Sequence, residues 1–493
     1  MPAQAPGGPE PTPGTSEQPP IPAPIPSPPP AVPDPKPVPV IPDALLIPPA
    51  TVSSAPQRLL PAPPVGVVPT ARFQLESSIA FSEEYTDNFN LTEDDKQSNF
   101  RSTVSPGLRL LINGAFLKGL VGYTFSPSHD SSTDDVSLFH SLVGQVSWEI
   151  NPRWKLTLAD TFTRSDQPGE ADRLGLRQRR QTFTANTLLL ASDYLMGPVA
   201  TRQSYQLTTF SDEDGEDTKS HIVGLSASVP VYQMNAISGG YEYLASSTSG
   251  GTGTGSTTAF GTSGDSDITG HRFTADVTRK MTAFRSAGIR TSYALRTATS
   301  RTTDTDFQIW NASLFTDYEL PKRLKLTSSL GVSALTVESA GTEGPNLSTK
   351  TSLSYEFART VISLAFDRGF SETFAEGENF GVIETEALTA SVAYAFTPFV
   401  SATASGFFRR NKTTGVANDS LGGTQQDEET ENWGGTLALS WRVRKWLFVE
   451  LTYDYIRQRG DDNRQTGTIG AGQVDIGNSY TENRVKAAIN LSF

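Results

Sequence analysis

Trp446-Leu447-Phe448-Val449-Glu450-Leu451-Thr452-Tyr453-Asp454-Tyr455 puts Leu447, Val449, Leu451, Tyr453 and Tyr455 on one side of an extended chain and Glu450, Thr452 and Asp454 on the other. A period of two sustained this long is the pattern of a strand with one face in lipid and one in water. The preceding segment repeats it, with Leu437, Leu439, Trp441 and Val443 opposite Thr436, Ser440, Arg442 and Arg444. Upstream, Leu388, Ala390, Val392, Tyr394 and Phe396 alternate with Thr389, Ser391, Ala393 and Thr397, and Val223, Leu225, Ala227, Val229 and Val231 alternate with Ser226 and Ser228. The polar faces are mostly Ser, Thr, Ala and Gly, which suit a hydrated lumen and not a dry sandwich core. Candidate strands run beyond the roughly 9 to 11 residues that cross a bilayer, where a soluble sandwich would use about five or six.

The connections alternate in kind. Tight ones read as short hairpin turns, among them Asn113-Gly114, Asn151-Pro152, Met196-Gly197-Pro198, Thr397-Pro398 and Arg444-Lys445. Long polar ones fall near 86–99, 127–136, 166–178, 211–218, 246–268, 299–306, 338–346, 372–381, 411–431 and 459–479. Short periplasmic turns alternating with long extracellular loops are the habit of an outer-membrane barrel. The expected fold is all-β, a transmembrane antiparallel β-barrel of about 20 strands over residues 71–493, or 18 if two long-loop edges are misplaced. Trp148 and Trp154 flank one tight turn and Trp441 and Trp446 another, as in a periplasmic aromatic girdle.

Of the 34 prolines, 25 lie in residues 1–70. That segment is expected to be a disordered, polyproline II-rich periplasmic linker without a core. The start, Met-Pro-Ala-Gln-Ala-Pro-Gly-Gly, has neither a basic nor an apolar leader region, so no signal peptide is present in the chain as written. An exported barrel is then expected to be represented by its mature form or by a late start.

Composition excludes several functions. A net charge of −13 is wrong for a nucleic-acid binder acting through bulk positive charge. Mean hydropathy is −0.32, and no apolar run approaches the roughly 18 residues of a membrane helix. There is no cysteine, and the four histidines, His129, His140, His221 and His271, are scattered. Catalytic, cofactor-binding and metal-binding residues are therefore expected to be absent. Glu450 and Asp454 share a lumen face, but nothing beside them completes an acid–base site. The acidic run Asp212, Glu213, Asp214, Glu216 and Asp217 lacks the spacing of a calcium loop, and Ser249 to Gly264 is Gly-rich without the lysine of a phosphate loop.

Two basic groups are candidates for a pore mouth that selects anions: Arg173, Arg177, Arg179 and Arg180, and Arg409 and Arg410 with Lys412. Arg457 and Arg459 form a third group, and contact with lipopolysaccharide or with loop acids is the alternative for all three. The chain ends Glu-Asn-Arg-Val-Lys-Ala-Ala-Ile-Asn-Leu-Ser-Phe, in which Val485, Ala487, Ile489, Leu491 and Phe493 alternate with polar or small residues. An amphipathic last strand ending on an aromatic resembles the signal read by the outer-membrane assembly machinery. Glu83-Glu84-Tyr85-Thr86-Asp87-Asn88, at the end of the first strand, resembles the opening motif of outer-membrane β-barrel porin families, some of which belong to exopolysaccharide-export systems.

That resemblance implies a barrel in a Gram-negative outer membrane, working as a passive pore or export conduit for exopolysaccharide or other polar solutes. Its implied partners are lipid and lipopolysaccharide, the assembly machinery and polysaccharide-export components, with no nucleic acid. The rival expectations are a plugged structural or adhesive surface barrel and, less favoured, an outer-membrane enzyme.

Overall fold

In the computed structural model, the described residues are 73–168, 180–213, 217–232, 234–249, 266–300, 304–320, 323–338, 341–372, 382–413, 429–460 and 479–493. The Pro-rich segment 1–70, the whole Gly-rich run after Ser249, and Arg173, Arg177 and Arg179 lie outside them. The alternating segments become twenty strands: β1 (Phe73–Thr86), β2 (Asn99–Asn113), β3 (Leu117–Asp130), β4 (Asp135–Asn151), β5 (Trp154–Ser165), β6 (Phe183–Met196), β7 (Val199–Asp212), β8 (Asp217–Val231), β9 (Asn235–Ser249) and β10 (Ser266–Thr282), then β11 (Arg285–Ser300), β12 (Asp304–Leu320), β13 (Leu324–Val337), β14 (Gly341–Glu356), β15 (Thr360–Glu372), β16 (Val382–Ala395), β17 (Val400–Thr413), β18 (Glu429–Arg444), β19 (Leu447–Gly460) and β20 (Tyr480–Ser492). Each pairs antiparallel with the next, and β20 pairs back onto β1 from Ser78↔Ser492 to Thr86↔Arg484. The sheet is closed, so every strand has a neighbour on both sides over at least part of its length.

Side-chain hydroxyls and amides make the tight turns. Asn151 Oδ1 accepts from Arg153 N at 2.9 Å, and Thr397 Oγ1 accepts from Phe399 N and Val400 N at 3.1 and 3.0 Å. Gly197 supplies the left-handed conformation, φ 61°, that a side chain would resist. At the opposite, loop end, four connections are shorter than their polar composition suggests: β3 runs to Asp130 and β4 starts at Asp135, and comparably brief links join β7 to β8, β11 to β12 and β13 to β14. Their Ser and Thr residues carry the ladder upward instead of leaving it. Thr218 and Thr248 pair at 3.2 Å, and Ser220 and Ser246 at 2.6 Å, across β8 and β9.

The two faces of the wall differ as the period requires. Leu437, Leu439, Leu451, Val392, Leu225 and Ile489 point outward and are exposed, forming an apolar belt. On β18, Trp433 and Trp441 bound that belt. Eight residues at about 3.4 Å each, tilted by about 40°, separate the rings by roughly 21 Å in height, near the ~25 Å apolar band of membrane barrels. Trp148, Trp154, Trp441 and Trp446 are all exposed beside tight turns, as the girdle expectation has it.

Three histidines belong to the same outer face. His140, His221 and His271 each hydrogen-bond through Nδ1 to the hydroxyl of a tyrosine on the preceding strand, Tyr123, Tyr205 and Tyr241, at 2.8, 2.8 and 2.9 Å. Each pair spans the same diagonal of its ladder, near the upper margin of the belt.

Candidate functional site

Below the loop end the inward face of the lumen differs around the ring: the side chains of Lys350 and Asp367, 3.8 Å apart, are 75% and 57% exposed, whereas Thr157, Ala191, Ala200, Ser228, Ser238 and Asp276 on β5 to β10 are buried. Further charge pairs face this space: Glu76 with Arg109, Asp193 with Arg202, and Asp276 with Arg290. Toward the loop end the burial extends to strands around the whole ring. Asn99, Arg101, Asp130, Phe183, Phe210, Ser220, Arg296, Phe307, Leu335, Asn411, Asn432, Gln458 and Glu482, drawn from strands around the ring, are all buried. Besides the β1–β2 connection, whose Phe89 lies against Arg101 and Arg180, two segments of the described chain reach inward at this level, from connections ten strands apart, on opposite sides of the barrel.

The first segment follows β5. Arg101, pointing inward from β2, grips Asp130 of β3 with Nε and Nη2 at 2.8 and 2.9 Å, and Asp166 with Nη1 and Nη2 at 2.9 and 2.6 Å. One guanidinium thus holds two carboxylates by two forks, the strongest geometry available to an ion pair. Its faces are covered by Phe139 and Phe89, with ring centroids at 5.3 and 5.7 Å. Arg484 of β20 donates to Gln167 at 3.0 Å and to Asp454 of β19, which also accepts from Thr436. Arg180, at the other end of the β5–β6 connection, donates to Glu482 of β20 at 2.5 Å and lies over Phe89. The connection is therefore fastened to β20 and β2, several strands from its origin.

The opening motif lies in this same region. Thr86 donates to Glu482 at 2.8 Å, and Asp87 accepts from the backbone and side-chain nitrogens of Asn483 at 2.7 and 2.6 Å. Asn88, fully buried, donates to the carbonyls of Thr92 and Thr481. Thr86, Asp87 and Asn88 all bond to β20, so this part of the motif fastens the seam where first and last strands meet.

The second segment is the loop end of β15 and β16. β14 and β15 pair only between Thr349↔Arg368 and Glu356↔Val361, although β14 continues to Gly341 and β15 to Glu372. Above Arg368 the β15–β16 hairpin parts from β14 and turns into the lumen. Phe370 and Val382, at positions whose parity lower on the strands is outward, pack on an apolar lumenal cluster that includes Ile222, Leu244, Ile268, Phe307, Ile309 and Leu335. Glu372 meets two arginines of the wall, Arg272 Nη2 at 2.6 Å and Arg296 Nε at 3.0 Å. Arg296 also reaches Glu242 of β9 at 3.2 Å.

The candidate pore-mouth residues separate by face. Arg180 is inward and buried against Glu482. Arg409 stands opposite Asn432 on the inward face of β17, whereas Arg410, the next residue, points outward and grips Glu429 at 2.5 and 2.7 Å. With Lys412, Glu384, Glu386, Glu431, Arg457 and Arg459 it forms an outer band of alternating sign from β16 to β19. Of the C-terminal residues, Val485, Ile489 and Leu491 share the outward parity, and Phe493 exchanges backbone hydrogen bonds with Ser77 at 2.8 and 3.2 Å. Sequence reasoning did not single out Arg101, Asp166, Arg272, Arg296 or Glu372. The signal for the wall arginines was present, as isolated charges on the Ser/Thr parity of their strands.

No protein-family model matches the sequence, and no curated protein is similar to it. Among solved structures, the chain path is similar to that of the siderophore receptor PirA from Acinetobacter baumannii, with 9% identity over 85% of this chain and 80% of that one and a TM-score of 0.46. It is likewise similar to the FrpB iron transporter from Neisseria meningitidis (F5-1 variant), with 9% identity, coverage of 85% and 82%, and a TM-score of 0.47. OpdQ from Pseudomonas aeruginosa is a third, with 10% identity, coverage of 85% and 98%, and a TM-score of 0.37. These are likenesses of chain path alone.

Proposed function

We propose that this chain is an outer-membrane β-barrel that conducts polar solutes and rests with its extracellular end closed. The observation that carries the reading is the pair of faces on one closed wall: a continuous apolar belt outside and a hydroxyl- and charge-lined lumen inside, accessible below at Lys350 and Asp367 and buried around the ring above. On this reading the short-turn end, with Phe73 and Phe493, faces the periplasm and the loop end faces the cell surface. Transport is non-catalytic on this reading, with lumen groups standing in for bulk water around the solute. Exopolysaccharide is the favoured class of solute, because the opening motif resembles that of porin families tied to its export. The alternating outer charges from β16 to β19 suit a phosphate-bearing outer leaflet bridged by divalent ions, and the C-terminal strand suits the assembly machinery.

The buried upper lumen also favours a second reading, a permanently plugged structural or adhesive barrel. Single-channel recording of the refolded full chain in planar bilayers separates the two. Conductance steps, sparse in the native chain and frequent when an inward segment is unfastened, are expected for a conduit. A folded barrel that stays silent in native and unfastened forms refutes the conduit reading.

A further inference from the structure

Arg272 and Arg296 face the lumen from adjacent strands, with Arg272 level with Ala294 and Arg296 level with Gly270. The wall itself supplies one carboxylate for these two cations, Glu242 of β9, 3.9 Å from Arg272 and 3.2 Å from Arg296. The second carboxylate, Glu372, comes from the hairpin that has left the ladder, at the last residue of β15. Without it the wall presents two guanidiniums against one acid, a net positive site. Arg296 is 1% exposed, and its Nη1 has no hydrogen-bond partner even with Glu372 in place. A buried guanidinium N–H left unpaired is costly, and here it marks donor capacity beyond what the chain's own acids use.

The surroundings are apolar on one side. Phe307 is directly opposite Arg296 in the β11–β12 ladder, and Ile309 is opposite Ala294. With Leu335 and Leu244 they form the shelf on which Phe370 sits. Two convergent guanidiniums over an aromatic and aliphatic shelf match a carboxylate carried on a ring with an apolar face, such as a pyranose uronate.

We propose that Arg272 and Arg296 form a lumenal binding site for the carboxylate of an anionic solute, of which uronate-bearing saccharide is the fitting class, and that Glu372 occupies this site in the closed barrel as an internal mimic. A solute carboxylate displaces Glu372, Phe370 and Val382 lose their anchor, and the hairpin leaves the lumen. Recognition of the solute and opening of its path are then one exchange of carboxylates. This rests on the conduit reading for its purpose, but the binding step is testable without it.

The test is calorimetric titration of the full detergent-refolded chain with trigalacturonate, with maltotriose as the neutral control and succinate as the small carboxylate, together with hydrogen exchange of the peptide spanning Phe370 to Ile383. A ligand that competes with a docked side chain is weakened by the fraction of time the site is free. Glu372→Gln is therefore expected to bind trigalacturonate about tenfold or more tightly than the native chain. Glu372→Asp should stay near native, Arg296→Gln should lose binding, and maltotriose should not bind. In the native chain, trigalacturonate should speed exchange of the hairpin peptide. Succinate binding as tight as trigalacturonate supports the carboxylate site and assigns it to small acids. Equal binding by native and Glu372→Gln chains, or none by either when both are folded, overturns the proposal. Conductance without binding leaves the conduit and removes this site, whereas binding without conductance removes the conduit and leaves the site.

Discussion

Replacing Arg101 by Met tests whether the β5–β6 connection is held by charge. The guanidinium makes four donor contacts of 2.6–2.9 Å to Asp130 and Asp166, all three residues being buried. Removing one partner of a buried ion pair costs about 3–5 kcal/mol, because the remaining charge stays desolvated. The strand ladder does not pass through these side chains, so most of the cost should fall on docking of the connection and little on the barrel. At about 1.4 kcal/mol per factor of ten, amide exchange in the peptide containing Asp166 and Gln167 should accelerate roughly 150- to 4,000-fold. Exchange in β19, from Leu447 to Gly460, should remain near native. Arg101→Lys keeps the charge, loses both forks and should fall between. Adding Asp166→Asn to Arg101→Met removes one stranded charge and should recover part of the loss, a coupling that a double-mutant cycle measures. Exchange that stays near native in Arg101→Met, or additivity of the two substitutions, would refute the claim that this ion pair fastens the connection.

Four further outcomes follow from the same geometry. Leu451→Arg, on the outward face of β19, should cost about 2–4 kcal/mol in denaturant unfolding from lipid vesicles, while Thr452→Arg on the inward face should cost much less. Gly331→Ala puts a Cβ 2.1 Å from the Ala312 carbonyl oxygen and should destabilise by about 1–3 kcal/mol in the same assay, whereas Gly122→Ala, whose nearest neighbour is 3.9 Å away, should be close to neutral. Asn88→Ala leaves the Thr92 and Thr481 carbonyls without their amide donor and should cost about 1–3 kcal/mol at the β1–β20 seam, read as faster exchange of the peptide 479–486. On the conduit reading, Lys350→Glu should move the reversal potential in a salt gradient toward cations and Asp367→Lys toward anions, while Arg410→Glu on the outer face leaves it unchanged.

The wall was legible because its chemistry is local. Leu447, Val449 and Leu451 point outward and Glu450 and Thr452 inward whatever their neighbours do, so the period alone gives strand, face and, with the tight turns, the count of twenty. Arg409 and Arg410 show the same rule at work on a proposed site: adjacent residues cannot share a face, and only the first points into the lumen. The upper strand ends were harder, since Ser- and Thr-rich stretches such as Asp217 to Ser220 suit either a loop or a ladder raised above the belt. The closure of the lumen was not readable. Arg101 and Asp166 meet across 65 positions of sequence, and nothing local to either residue announces that contact. Glu372 is the clearest case. Its parity on β15 is that of Phe366 and Arg368, on the outer face, and it reaches the lumenal arginines only because the hairpin parts from β14 above Arg368.

That separation between wall and closure has an energetic consequence. A closed ladder satisfies its own backbone groups, so neither inward segment is needed to hold the barrel shut. The β5–β6 connection is fastened by the Arg101–Asp166 and Arg180–Glu482 ion pairs and by a hydrogen bond from Arg484 to Gln167; the net contribution of such ion pairs is small because desolvation offsets attraction, although breaking one partner alone is costly. Burial also shields these pairs from salt, whose screening acts mainly on exposed charges. The β15–β16 hairpin adds Phe370 and Val382 on an apolar shelf to its ion pairs, and that contact releases only when something else covers the shelf. A change in ionic strength is therefore a poor key for either fastening. A ligand that brings its own carboxylate to Arg272 and Arg296 and its own apolar face to Phe307 replaces both kinds of contact at once, and the hairpin is the segment whose displacement such a ligand can drive.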